Sequence, residues 1–246
     1  VARPLLRLGL VAWRPLFGVA AIPPLITLLL RRRISESSLW EGRRRSDSSV
    51  KVPRRIIAFI AVLCAGLFIW TFVLAIFASY LPSLLVRTYG FHAYMSLIVG
   101  GLQWIMYFAG CLITFKLIDR AGRRPLILTG SIVGLAAASS IYFLRAATPE
   151  YFTISIFFIW LAGGIAYTGI STYSFEISPT LLRGLLSGSV FASGRLGGYT
   201  GTQIFPMLLG LIGITSVFGL ISLLLLTAAA LVAPFNQRTE RLTLDE

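Results

Sequence analysis

Residues 56–81 read IIAFIAVLCAGLFIWTFVLAIFASYL, a run of 26 residues that contains no charged side chain. A helix rises 1.5 Å per residue, so this run would measure about 39 Å, which exceeds the roughly 30 Å of hydrocarbon in a bilayer. In hydrocarbon the backbone must satisfy its own hydrogen bonds, and a helix does so. The stretch therefore predicts a transmembrane helix.

The rest of the chain has the same character. Of its 246 residues, 57% are hydrophobic and 13% are charged, whereas soluble domains contain about 45–50% apolar and about 25% charged residues. This composition excludes disordered, collagen-like, coiled-coil and disulfide-rich secreted chains. It predicts an all-α integral membrane protein with about seven transmembrane helices. Besides residues 56–81, the predicted spans are a weaker Trp13–Leu30 and the firm Ala93–Phe115, Pro125–Leu144, Tyr151–Thr172, Leu185–Leu209 and Ile212–Ala233.

The basic residues are distributed unevenly between the two sides of the membrane. Nine of the 22 Lys and Arg residues lie in segment 31–55. Seven alternating spans put this segment on the same side as 116–124, 173–184 and 234–246, which together hold 16 basic residues against five on the other side. Cytoplasmic loops are enriched in Lys and Arg. The distribution predicts a multi-pass protein of the cytoplasmic membrane with segment 31–55 and the C-terminus inside, and it explains the net charge of +13 without a nucleic-acid partner.

Two polar stretches carry specific patterns. Residues 116–125 read KLIDRAGRRP and residues 175–184 read FEISPTLLRG. Gly122 permits a sharp turn between two helices, and short loops confine both stretches to one membrane face, where partly buried opposite charges attract. The sequence thus predicts a charge cluster that biases conformation without touching substrate. Its members are Asp119, Arg120, Arg123, Arg124, Glu176, Arg183 and, from the preceding segment, Glu36.

These two stretches resemble the major facilitator superfamily, in its sugar-porter and metabolite–proton symporter branches. In that family D-R-x-G-R-R joins helices 8 and 9, and E-x-x-P-T-x-x-R joins helices 10 and 11. Three further stretches resemble motifs of the family and occur in the same order along the chain. Residues 13–17 resemble the start of helix 6, residues 32–40 resemble the R-x-x-P-E-S-P-R-W that follows it, and residues 243–246 resemble a T-L-E-E tail. Phe115 departs from the pattern, because the family loop usually begins with glycine there.

The resemblance implies a fragment that covers helices 6 to 12. It would consist of the end of the first half (1–30), a central cytoplasmic loop (31–55), the second six-helix bundle (56–233) and a cytoplasmic tail (234–246). It also implies part of a secondary active transporter that moves a small metabolite by alternating access, with an organic or inorganic anion as one option. The partners implied are the lipid bilayer, the small-molecule substrate and the missing N-terminal half. The alternative is a transport-incompetent sensor or assembly subunit of the same fold.

Arg195 is the most informative candidate for substrate binding. It lies 12 residues beyond Arg183, or about 18 Å along a helix, and therefore near the middle of the membrane. A charge at that depth is costly and usually faces a cavity or a partner. The surrounding ASGRLGG resembles the A-S-G-K-L-G-A of metabolite–proton symporters, with arginine in place of lysine. The alternative is a structural arginine bound to backbone carbonyls at a helix break.

Three other residues complete the predicted binding set. Gln103 offers both donor and acceptor groups, and Tyr167, with Thr168 and Tyr173 as companions, could line the same cavity. Interhelical hydrogen bonding is an equal alternative for each of these side chains. Trp70 is the third candidate, although tryptophans in spans, Trp104 and Trp160 among them, more often pack or face lipid.

An enzyme is not expected. Membrane-embedded enzymes need clustered His, Asp or Glu side chains, but the chain has one histidine, His92, and no close pair of carboxylates outside the terminal tail. The same scarcity argues against a metal site, and nothing in the sequence calls for a cofactor. The glycine pairs Gly194/Gly198 and Gly197/Gly201 favour close helix packing over ligand contact.

Overall fold

The computed structural model describes residues 14–31, 53–145 and 148–234, which fall into two units. The first unit contributes one described helix, α1 (Arg14–Arg31), with Pro23 and Pro24 inside it. The hydroxyl of Thr27 donates to the carbonyl of Pro23, one turn earlier, over 2.8 Å, a bond that threonine commonly makes within helices. This helix coincides with the weakest predicted span.

The described residues of the second unit form a bundle of five helices. They are α2 (Arg54–Tyr89), α3 (Ala93–Ala121), α4 (Arg123–Leu144), α5 (Pro149–Ile177) and α6 (Arg183–Val232). Each of the five is long and apolar enough to cross a bilayer. Within the described ranges the chain is helical apart from short turns, so the predicted fold class, an all-α membrane protein, is confirmed.

The last helix contains two predicted spans. At 50 residues, α6 would be about 75 Å long if it were straight, far more than a bilayer needs. Its backbone breaks at Gly213, where φ is 73° and ψ is 165°, a conformation that glycine adopts without steric cost. Residues 183–212 and 214–232, here called the first and second arms of α6, therefore correspond to the spans predicted at Leu185–Leu209 and Ile212–Ala233.

Most helices extend beyond the predicted spans because intrahelical hydrogen bonds continue past the hydrocarbon region. The predicted loop 116–124 is one example, since α3 runs to Ala121 and α4 begins at Arg123. Gly122 alone makes the turn, with a φ of 85°, as its position in the sequence predicted. The helix α2 likewise continues through Pro82 and ends at Tyr89. Gly90 caps it, and the N–H of Gly90 donates to the carbonyl of Val86 over 3.2 Å.

The packing is centred on α2 and α5. The helix α2 packs mainly on α6, while α5 packs on α3 and α4. The largest fully buried side chains include Trp70, Phe77, Trp160 and Tyr173. Much of α3 remains open, as the 61% exposure of Phe108 and the 76% exposure of Phe115 illustrate. Apolar side chains on the outside of such a bundle suit a lipid environment.

Glycines let two helix pairs approach closely. A Cβ built on Gly164 of α5 would lie 2.2 Å from the carbonyl oxygen of Tyr107 on α3, and one on Gly110 would lie 2.2 Å from that of Leu161. In the other pair, a Cβ on Gly197 would lie 2.2 Å from the carbonyl oxygen of Phe68 on α2. The prediction that Gly197 serves packing is therefore confirmed. Small residues permit such close backbone contact in membranes.

Candidate functional site

A cavity of about 490 Å³ lies among α2, α3, α5 and the first arm of α6. Its floor on α2 is built from small and aliphatic side chains such as Leu67, Leu74 and Ala78. Arg195 is the one charged side chain among the described residues that line the cavity, and no carboxylate lines it. A volume of this size suits a small organic molecule.

One wall of the cavity is aromatic. Trp104 and Tyr107 on α3 face Trp160 and Tyr167 on α5, and all four side chains line the cavity. The ring centroids of Trp104 and Trp160 are 4.6 Å apart, those of Tyr107 and Trp160 are 6.0 Å apart, and those of Tyr107 and Tyr167 are 6.2 Å apart. These edge-to-face contacts are favourable arrangements for aromatic pairs. We call these four side chains the aromatic wall.

The opposite side of the cavity is the first arm of α6, which carries Arg195. Residues 191, 195, 198 and 202 line the cavity, and their spacing places them on one helix face. Several hydrogen bonds fix this part of α6 on α2, and two of them lie next to Arg195 in the sequence. The hydroxyl of Thr71 donates to the carbonyl of Gly194 over 2.6 Å, and that of Ser193 donates to the carbonyl of Cys64 over 2.9 Å.

The Arg195 side chain is exposed, and within the described ranges it makes no ion pair and no hydrogen bond. It is thus not tied to backbone carbonyls there, which is what the structural alternative would require. A guanidinium carries five donors and stays charged at every physiological pH. Arg195 therefore offers a fixed positive charge and a bidentate donor face to whatever occupies the cavity.

The four predicted binding residues separate into two groups. Arg195 and Tyr167 line the cavity, whereas Trp70 and Gln103 do not. Trp70 is fully buried on the far side of α2, where a Cβ on Gly134 of α4 would come within 2.7 Å of its ring. Gln103 is 1% exposed, and its side-chain oxygen has no hydrogen-bond partner in the described ranges. The companion Tyr173 is buried against Phe59, with ring centroids 4.8 Å apart.

Sequence reasoning assigned Trp104 and Trp160 to packing or lipid contact and did not single out Tyr107. The spacing of these aromatic residues in the sequence could have indicated that they share a helix face. Trp104 and Tyr107 are three residues apart on α3, and Trp160 and Tyr167 are seven apart on α5, so each pair lies on one helix face. The glycines Gly110 and Gly164, which bring α3 and α5 together, stand close to these pairs in the sequence. Aromatic pairs beside a close helix contact therefore marked the wall.

A second polar site lies where α3 ends and α4 begins. The guanidinium of Arg123 donates to both carboxylate oxygens of Glu176, with its Nη2 and Nε each 2.8 Å from one of them. Nη2 also lies 3.1 Å from the Asp119 carboxylate, and Nη1 donates to the carbonyl of Ile118 over 3.1 Å. The Arg123 side chain is 12% exposed, that of Glu176 is 27% exposed and that of Asp119 is 82% exposed. Arg123 is thus the centre of the cluster.

The other predicted members of the cluster are placed differently. Arg124 donates to the carbonyl of Ala233 at the end of α6, and Arg183 donates from Nε to the carbonyl of Ser178 over 3.4 Å. Both side chains therefore hold helix ends, where cations are favoured at exposed carbonyls. Arg120 is exposed in the last turn of α3. Glu36 lies outside the described residues.

The geometry of this cluster predicts unequal effects of its two acids. Glu176→Gln should lower the free energy of unfolding by about 2 kcal/mol, because it leaves the poorly exposed Arg123 without its bidentate partner. Asp119→Asn, the matched control in the exposed pair, should change it by less than about 0.5 kcal/mol. Thermal unfolding of the two variants in the same detergent checks this. Equal effects would mean that the two ion pairs do not differ in strength.

Comparison with known proteins adds independent information. The sequence model described as Major Facilitator Superfamily matches residues 4–202. A probable 4-methylmuconolactone transporter of Cupriavidus pinatubonensis is 27% identical over 222 residues, which are 86% of this chain and 51% of the relative. The niacin transporter NiaP of Acinetobacter baylyi is 27% identical over 241 residues, 92% of this chain and 49% of the relative. A citrate-proton symporter of Klebsiella pneumoniae is 26% identical over 194 residues, which are 75% of this chain and 43% of the relative.

The chain spans about half the length of the curated relatives it matches. These relatives are named for transport rather than for catalysis, in line with the expectation of a chain that is not an enzyme. The narrower sugar-porter assignment stays a prediction. The family model covers most of the chain, and five described helices are long and apolar enough to cross a membrane, as the resemblance in sequence implied. This multi-pass membrane protein belongs to the Major Facilitator Superfamily.

Proposed function

We propose that the chain forms the second half of a secondary transporter and that its cavity holds a small organic anion. The observation that carries the proposal is the exposed, unpaired Arg195 in a cavity whose described lining has no carboxylate. A charge surrounded by apolar side chains and membrane is costly to leave unpaired. A carboxylate on the substrate would supply the missing partner and two acceptor oxygens.

The aromatic wall narrows the proposed substrate further. Flat rings gain most from other flat groups, so an aromatic or conjugated acid suits a cavity lined by the aromatic wall and Arg195 better than a flexible aliphatic acid does. Three relatives are named for compounds with a ring or conjugated double bonds, namely 4-methylmuconolactone, niacin and cis,cis-muconate. A fourth is named for citrate, which shares only the carboxylate chemistry. We therefore propose a planar organic carboxylate, which lies against the aromatic wall with its charged end on Arg195.

Transport by this fold would need a second helical bundle, because alternating access moves two halves around a site between them. We propose that residues 56–233 form one half, that segment 31–55 is the cytoplasmic linker from the other half, and that segment 31–55 and the C-terminal tail lie inside the cell. The distribution of basic residues supports this orientation. The Arg123–Glu176 pair would hold α4 to the end of α5 and so bias the conformational equilibrium.

A pair of ligands that differ in charge but hardly in shape tests the binding proposal. Nicotinate and nicotinamide share the pyridine ring, and only nicotinate carries a carboxylate. Titration of the purified chain in lipid nanodiscs should give at least about tenfold tighter binding of nicotinate, since hydrogen bonds to charged groups contribute about 1.5–3 kcal/mol. Equal affinities would contradict an anion site. A saturated ring acid, cyclohexanecarboxylate, should bind more weakly than nicotinate if the aromatic wall contributes.

A further inference from the structure

A second hollow lies on the outside of the bundle, between α4 and the second arm of α6. Its volume is about 430 Å³, and we call it the outer groove. It runs from Phe143 and Ser216 at one end to Leu135 and Leu226 at the other. Among the described residues its lining contains no charged side chain. It is separate from the Arg195 cavity, with which it shares no lining residue.

The groove exists because small residues meet along this contact. Ser139 on α4 and Ser216, Gly219 and Ser222 on α6 line it, and their side chains leave the space between the helices unfilled. The ring of Tyr142 packs on Gly219, where a Cβ would come within 2.9 Å of it. The hydroxyl of Ser222 already donates to the carbonyl of Phe218 over 2.8 Å, so it does not require a ligand. The groove is therefore an uncharged hollow lined by leucine, phenylalanine and glycine together with hydroxyl-bearing side chains.

The position of the groove matches one leaflet of a bilayer. Phe143 is the second-last residue of α4, which places that end of the groove at the membrane boundary. Leu135 lies eight residues earlier, about 12 Å deeper along the helix, close to the 15 Å half-thickness of the hydrocarbon region. Phe143, Leu223 and Leu226 are 76%, 59% and 50% exposed. The groove thus opens toward hydrocarbon.

A basic residue lies close in the chain to one end of the groove. Arg145 follows α4 directly, two residues after Phe143, and its left-handed backbone, with a φ of 52°, ends the helix there. The side chain is exposed. A basic residue at the membrane boundary attracts lipid phosphate. The outer groove thus combines an uncharged hollow of about one-leaflet depth with a basic residue just beyond the end of α4, and the chemistry of a phospholipid, an acyl chain below a phosphate, matches this combination.

We propose that the outer groove binds one phospholipid of the leaflet in which α4 ends, with an acyl chain between α4 and α6 and its phosphate beside Arg145. Atoms that line an unfilled hollow lack dispersion contacts on one side. A flexible acyl chain in the hollow would supply these contacts. The bound lipid would bridge the α4–α6 contact. This proposal does not depend on the ligand of the Arg195 cavity.

Native mass spectrometry of the full chain, released from nanodiscs of phosphatidylglycerol, tests the proposal. The wild-type chain should retain one phospholipid. The double variant Ser139→Leu/Ser216→Leu fills the groove and should retain at least about tenfold less. Ala136→Leu, an exposed position on α4 that does not line the groove, should behave as the wild type. Arg145→Gln should lower retention about fivefold, because one interfacial cation contributes about that factor.

Equal lipid retention by the filled and wild-type chains would overturn the proposal. Filling the groove could instead abolish a dimer peak and leave lipid unchanged, in which case a second copy of the chain occupies the groove and the proposal is again wrong. A photoreactive benzoylphenylalanine at position 143 gives a readout that does not depend on folding of the double variant. After bulk lipid is exchanged for detergent it should still yield a chain–phospholipid adduct, whereas the same residue at the exposed position 132 of α4, outside the groove, should not. Equal adduct yields at the two positions, or adducts to protein alone, would contradict lipid binding.

Discussion

Arg195→Ala should weaken nicotinate binding about 100-fold or more. The substitution removes the one charged group among the described residues that line the cavity, together with a bidentate pair of donors. Two charge-assisted hydrogen bonds of about 1.5 kcal/mol each correspond to roughly two orders of magnitude in affinity. Arg195→Lys should be intermediate, because an ammonium keeps the charge but lacks the planar fork. Titration with nicotinate in nanodiscs measures the affinity of the wild type and of the two variants.

The control for this experiment is Arg87→Ala. Arg87 is an exposed arginine near the end of α2 and does not line the cavity, so its loss changes the net charge equally. Its variant should bind nicotinate within about twofold of the wild type, because exposed charges are screened over about 10 Å in 0.1 M salt. Unchanged binding by Arg195→Ala would assign that arginine to structure. Equal losses in both variants would indicate a general effect of charge.

Gly164→Ala should destabilise the bundle by about 2–3 kcal/mol. The new Cβ would lie 2.2 Å from the carbonyl oxygen of Tyr107 and 3.1 Å from the amide nitrogen of Cys111, so α3 and α5 must move apart. Overpacking of a close contact costs about 1–3 kcal/mol. The contacted atoms here belong to the backbone, so they cannot move away by a change of rotamer as a side chain can. Thermal unfolding in one detergent measures the loss.

Gly101→Ala is the matched control, since Gly101 lies on the same α3 and has open space where its Cβ would be. Alanine should be neutral or stabilising there, by up to about 1 kcal/mol, because it forms helix better than glycine. A melting temperature for Gly164→Ala equal to that of Gly101→Ala would show that α3 and α5 do not pack as closely as described. Gly164→Ala should also weaken nicotinate binding, because Trp160 and Tyr167 flank it in α5.

The transmembrane spans were predictable because a run of about 20 residues without a charged side chain is typical of a membrane helix. Residues 93–115 and 125–144 fall inside α3 and α4 for this reason. The single-residue break at Gly213 was harder to predict. Gly210 and Gly213 both interrupt the last apolar stretch, and only Gly213 adopts the non-helical conformation.

The cavity-facing side chains were predicted less well. A helix that is apolar all round has no polar face to orient it, so sequence alone does not tell which side of α2 or α5 turns inward. Trp70 and Trp160 illustrate the difficulty, since both are tryptophans in uncharged runs. Trp70 packs against Gly134, whereas Trp160 lines the cavity. Arg195 was recognisable because a single charge inside an apolar run stands out without any knowledge of the neighbouring helices.

The close helix contacts have a mechanical consequence for the cavity. Gly110 and Gly164 lock α3 to α5, and Gly197 locks α6 to α2, so the aromatic wall and Arg195 belong to two separately braced helix pairs. A ligand that touches both sides would act as a tie between these pairs. Its binding free energy would then oppose any motion that moves the two pairs apart. The ligand-bound protein would therefore have a higher melting temperature than the free protein, and the difference would grow with ligand concentration.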